Sequence, residues 1–107
     1  MDDVIKLISQ TYEKDKYGVP IPTQAYNEIF CEIHSVTKQE FYEAGRNGLN
    51  PQFMAQIFAA EYNGEELVEY QGRTYSIYRT YHVPGTDYME LYIERKGGSN
   101  GKQESEP

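Results

Sequence analysis

The chain has 107 residues, 38% of them hydrophobic, and a mean hydropathy of -0.77, which describes one soluble domain with a modest core and no second one. Seventeen acids against ten bases give a formal net charge of -7, which sets the domain as a whole against nucleic-acid phosphates. The apolar runs are too short for a membrane span, MDDVIKL has acids where a secretion signal needs positive charge, and the single cysteine, Cys31, can make neither an internal disulfide nor, alone, a zinc site.

VIKLISQTY, Val4 to Tyr12, is β-branched and aromatic with partial alternation and reads as a strand. KDKYGVPIP, with a glycine and two prolines, reads as a long turn that ends it. From Tyr26 to Ser35 the alternation is cleaner: Ile29, Cys31 and Ile33 fall on one face, and Glu28, Phe30, Glu32 and His34 on the other. This predicts a strand with one face in the core.

Thr37-Lys38-Gln39-Glu40 matches a capping box, in which the threonine hydroxyl accepts from the Glu40 amide and the glutamate side chain returns a bond to the cap residue. A helix of about two turns is expected to follow and to stop near Gly45. Arg46 to Pro51, with Asn47, Gly48 and Asn50 tolerant of positive φ, is expected to be a mobile loop.

Phe53, Ala55, Ile57 and Ala59 then alternate with Met54, Gln56, Phe58 and Ala60, a strand apolar on both faces that calls for cover on both, from the short helix or from another subunit. Glu66 to Tyr70 and Arg73 to Tyr81 flank Gln71-Gly72 as a hairpin. Val83 to Asp87 turns the chain into a last strand, Tyr88 to Arg95, with Met89, Leu91 and Ile93 on one side. Six strands and one helix predict an all-β fold, a small antiparallel barrel or sandwich spanning residues 1–96. The segment 97–107 has no apolar residue and is expected to be a disordered tail.

Several residue sets invite chemical readings. Cys31 with His34 or His82 contains the residue types of a thiol nucleophile and its base, but the alternation puts Cys31 on the core face and His34 on the opposite one, so a structural cysteine is expected. Glu61, Glu65, Glu66, Glu69, Glu90 and Glu94 read as a solvated acidic face rather than a catalytic or metal-binding set. Tyr75, Tyr78, Tyr81, Tyr88 and Tyr92 beside Arg73 and Arg79 have the composition of a base-stacking platform, yet cross-strand pairing accounts for them without a ligand. Gly45-Arg46-Asn47-Gly48 lacks the strand-to-helix junction and the lysine of a phosphate-binding loop. No cofactor or metal is called for.

The segments KLISQTYEKDKYGVPIPT, FCEIHSVTKQEFYEAGRNGLNP, EYNGEELVEYQGRTYSIYRTY and ELYIERKGG, in that order, resemble the head closure (head-tail joining) proteins of tailed bacteriophages and prophages of Gram-positive bacteria; the resemblance covers residues 4 to 98. It implies a small non-enzymatic β-barrel that assembles as a ring beneath the portal and its adaptor, with connector, tail proteins and further copies of itself as partners. Packaged DNA passes through the channel, and the protein, made in the host cytoplasm, resides in the virion. In such proteins the long loop between the second and third strands is the stopper. The matching segment here is Val36 to Pro51, so Lys38, Glu40, Glu43, Gly45, Arg46, Asn47, Gly48, Leu49 and Asn50 become the expected channel or partner-facing residues, with Gly45 and Gly48 as hinges. A tail terminator or other neck component, and a cytoplasmic small-barrel module for single-stranded nucleic acid, are the alternatives carried beside it.

Overall fold

Alternating apolar residues on six strands leave each strand one side to bury, and closing the sheet on itself buries all six at once and removes the sheet edges over the closed portion. The computed structural model describes residues 2–95, and the tail expected from residue 97 lies outside them. Strands β1 (Asp3–Lys14), β2 (Pro20–His34), β3 (Pro51–Phe58), β4 (Leu67–Tyr70), β5 (Arg73–His82) and β6 (Tyr88–Arg95) close into an antiparallel barrel in the order β1-β2-β3-β6-β5-β4. One helix, α1 (Lys38–Arg46), lies in the connection between β2 and β3. The expected all-β barrel with one helix is therefore the fold.

The interior follows the register. Ile5 pairs with Ile29, Leu7 with Val68, Ile33 with Ala55, Ala55 with Leu91, and Phe53 with Ile93. Ile5, Leu7, Ile57, Leu91 and Ile93 are fully buried, and each contributes about 1.5–3 kcal/mol relative to an exposed side chain. Phe53 packs against the rings of Tyr70 and Tyr75, each with its centroid 5.2 Å away. Gln71 and Gly72 both have positive φ, 51° and 79°, the conformation of a two-residue type I′ turn, and they join β4 to β5 as expected.

Two expectations are corrected. Tyr12 to Tyr26 is not a strand end, a long turn and a strand start. β1 continues to Lys14 and β2 begins at Pro20, so the turn is only Asp15 to Val19. The Asp15 carboxylate accepts from the backbone amides of Tyr17 and Val19, and Gly18 takes φ +81°. β2 meets β3 only from Glu32 to His34, and β1 meets β4 only from Lys6 to Ile8. The hairpin beyond them projects as a two-stranded arm from a molecule measuring 51 × 38 × 22 Å. The third strand is also shorter than expected: it ends at Phe58, and Ala59–Glu61 form a 3-10 turn. Its outer side is not sealed, for Phe58 is exposed and stacks on Tyr88 at 5.3 Å.

Candidate functional site

The insertion between β2 and β3 starts as the sequence predicts. Thr37 is the N-cap, and its hydroxyl accepts from the Glu40 amide at 3.1 Å. The second half of the expected capping box is absent: the Glu40 carboxylate turns away from the cap and toward the barrel. Tyr78 donates its hydroxyl proton to Glu40 Oε2 at 2.6 Å, and Arg79 donates through Nη2 to Glu40 Oε1, also at 2.6 Å. The Glu40 side chain is only 16% exposed, so both acceptor oxygens are held where water competes poorly.

A β-bulge makes this possible. Ile77 pairs with Ile93 and Arg79 with Tyr92, leaving Tyr78 as the extra residue of β5. An extra residue re-aims the side chains around it, and here two consecutive residues, Tyr78 and Arg79, reach the same carboxylate. The Arg79 guanidinium also lies 3.8 Å from the centroid of the Tyr92 ring, and Tyr92 donates to Glu90. The result is one network from α1 across β5 to β6. Burial pushes the Glu40 pKa up, but the hydrogen bonds from Tyr78 and Arg79 and the Arg79 charge outweigh it and leave it lowered; burial, with Glu40 adding to it, pushes the Tyr78 hydroxyl well up.

The helix stops near Gly45, as expected, but the segment after it is not a loose loop. α1 runs through Gly45 to Arg46 with Asn47 as its C-cap. Gly48 N–H donates to the Gly45 carbonyl and Leu49 N–H to the Ala44 carbonyl, each at 3.0 Å, with Gly48 at φ +79°. These are the paired bonds of a Schellman stop, in which a glycine supplies the left-handed residue. Asn47 Nδ2 also donates to the Glu43 carbonyl, and the Asn50 amide donates to Glu94 on β6. Gly48 is thus an ordered stop and Gly45 an ordinary helical position, where a Cβ would meet nothing within 4 Å beyond its chain neighbours and its own helix backbone.

Of the expected site residues, Glu40, Glu43, Asn47 and Leu49 come together with Ala44, Tyr78 and Arg79 around a crevice of about 490 Å³ between helix and barrel. Lys38, Gly45, Arg46, Gly48 and Asn50 are exposed and do not line it. Phe41 and Tyr42, which are not among the expected site residues, are 48% and 66% exposed and meet edge to face at 6.0 Å. Ala44 is the helix's buried residue, so the helix buries a small side chain and turns its aromatics outward. Two exposed aromatics on a two-turn helix are a signal legible without coordinates.

The other sets resolve differently. Cys31 is fully buried, and burial together with the Asp3 charge pushes its thiol up to about 11, which leaves it protonated and unreactive near neutrality. His34 faces outward against Glu32 at 2.7 Å. Glu65 is buried rather than solvated and accepts from the Asn63 amide. The tyrosines expected beside Arg73 and Arg79 separate: Tyr75 packs on Phe53, Tyr88 stacks on Phe58, and Tyr78 and Tyr92 surround Arg79. Among the described residues no group of three or more His, Cys, Asp or Glu could hold a metal ion, and no helix is long and apolar enough to cross a membrane.

No family model and no curated protein matches this chain.

Proposed function

We propose that this protein is a head completion protein of a tailed phage or prophage, a non-enzymatic ring component that joins the portal and adaptor to the tail and closes the DNA channel. The observation that supports it most is the helix-bearing insertion between β2 and β3, mounted on a closed barrel and tied to it through Glu40. It occupies the place of the stopper segment in the family that residues 4 to 98 resemble.

A stopper needs a rigid mount and an element with two positions. Here the barrel is the mount. The helix offers an aromatic outer face, Phe41 and Tyr42, for contacts to neighbours, and one carboxylate holds it to Tyr78 and Arg79. Repetition around a ring multiplies modest contacts into a firm closure. An acidic channel lining would keep DNA sliding, whereas Lys38 and Arg46, both exposed on the insertion, are the cations that would touch phosphates. The partners on this reading are the connector, the tail and further copies of the chain; the site of action is the virion, after synthesis in the host cytoplasm.

The test is electron microscopy of particles made without the protein, beside particles carrying a variant in which 37–49 is replaced by a short Gly-Ser turn. Full-looking, tailless heads that lose DNA are expected from the first, and tailed heads that fail to retain DNA from the second. Empty proheads in the first case, or normal retention and ejection in the second, would remove the stopper role. Tight binding of single-stranded DNA by the isolated protein at low salt would favour a nucleic-acid module instead.

A further inference from the structure

The projecting arm has two open edges. Asp15 N–H donates to the Val19 carbonyl, so the amides of Asp15 and of every second residue before it face across the hairpin, and those between face out. The register between β1 and β2 runs unbroken from Asp3↔Cys31 to Lys14↔Pro20. The outward positions are therefore Gln10, Tyr12 and Lys14 on β1, and Pro20, Pro22, Gln24, Tyr26 and Glu28 on β2. Ile8, the next outward position of β1, is the last that β4 covers. Pro20 and Pro22 fall on outward positions, which is why the hairpin tolerates them: neither removes a bond between β1 and β2.

Those prolines guard only the tip of the β2 edge. From Gln24 to Glu28, and along β1 beyond Ile8, nothing blocks pairing: there is no proline, no bulge and no covering strand. Proteins that remain single copies protect such edges, commonly with charge. Here no charged residue occurs between Ser9 and Tyr12 or between Thr23 and Asn27, although a quarter of the chain is charged. The only charged side chains at the outward positions are Lys14 on the β1 edge and Glu28 on the β2 edge, opposite in sign.

We propose that the β1 edge of one copy's arm pairs with the β2 edge of the next copy's arm, adding strand to strand between identical chains. The strands of a hairpin run in opposite directions, so two copies related by rotation about an axis along their arms place β1 of one beside β2 of the other, antiparallel. Each arm then uses both edges, once on each side, and the association is head-to-tail. An acidic chain of net charge -7 finds on this ribbon a surface where copies meet without like charges opposed. The pairing concerns the self-assembly that the proposed function requires, but it is tested in solution and apart from any virion.

Sedimentation velocity of the full chain, from micromolar to millimolar concentration, tests it. The wild type is expected to rise with concentration above the 12.4 kDa of one chain. Gln10→Pro and Gln24→Pro each remove one outward amide while sparing the bonds between β1 and β2, and each alone is expected to stay at the mass of one chain. Mixed, they are expected to form a dimer and nothing larger, because one variant retains a free β2 edge and the other a free β1 edge. Melting curves matching the wild type establish that both variants fold. Should either proline unfold the arm, Tyr12→Pro, which removes the next outward amide of β1 and likewise spares the bonds to β2, replaces it and is expected to stay at the mass of one chain. A wild type that stays at one chain mass throughout overturns the pairing and leaves the stopper reading to its own test. Undiminished association of either proline variant alone overturns the head-to-tail arrangement.

Discussion

Tyr78 and Glu40, 38 positions apart, meet through a 2.6 Å hydrogen bond that ties the inserted helix to strand β5. Arg79 reaches the other oxygen of the same carboxylate. A helix of nine residues is too short to be stable by itself, and α1 buries only Ala44, so this contact and the Leu49 stop account for much of what holds it in place.

Glu40→Gln keeps the shape and removes the charge. Hydrogen bonds to charged groups contribute about 1.5–3 kcal/mol, and the amide retains part of that, so a loss of about 1–2 kcal/mol from helix docking is expected. Hydrogen exchange is expected to rise across α1 while the amides of β3 and β6 keep their protection. Unchanged exchange in the helix would show that Glu40 does not hold it.

The same contact predicts an acid response. The Glu40 carboxylate titrates below its ordinary range in the folded protein; a depressed folded pKa contributes stability that is complete above the unfolded pKa and is lost as pH falls through the folded one. Helix docking should hold at neutral pH and weaken below the ordinary carboxylate range, and Glu40→Gln should flatten that part of the profile. The readout is the fluorescence or the ring NMR signals of Tyr78 and Tyr92 followed against pH.

Gly45 and Gly48 should respond to alanine with opposite signs. Gly45→Ala fills open space inside a helix and is expected to stabilise by about 0.5–1 kcal/mol. Gly48→Ala forces a side chain into φ +79° and is expected to cost about 1–2 kcal/mol. Denaturant melts of the two variants check this, and equal effects would contradict the ordered stop.

Ile57→Ala should cost about 2–5 kcal/mol, since the side chain is fully buried among well-packed neighbours. Ile77 lies next to the bulge and is only partly buried, so its truncation should cost less. Urea midpoints for the pair give the comparison, and a larger loss at Ile77 would mean that the barrel interior is centred elsewhere.

Much of this fold is legible in the alternation of Ile29, Cys31 and Ile33, or of Met89, Leu91 and Ile93, because a strand half-buried in a barrel writes its register into the sequence. The arm is not legible, for Pro20 and Pro22 read as breakers until their amides are known to face away from the partner strand. The Thr37 cap is legible because it is local. The destination of Glu40 is not, since it depends on a bulge at Tyr78 that exists only in the pairing of β5 with β6. Of the site, the helix start could be read from residues alone, whereas the helix dock could not.

The arm also carries a consequence for length. Beyond Ile8 and Glu32 its strands answer only to each other, so matched residues can be removed from both without altering the closure of the barrel. Removing two from each strand keeps every remaining side chain on its own face and withdraws the tip by about 7 Å; removing one from each turns the tip over. The reach of the tip is therefore adjustable in discrete increments, like the notches of a gauge, while the body that carries it stays the same.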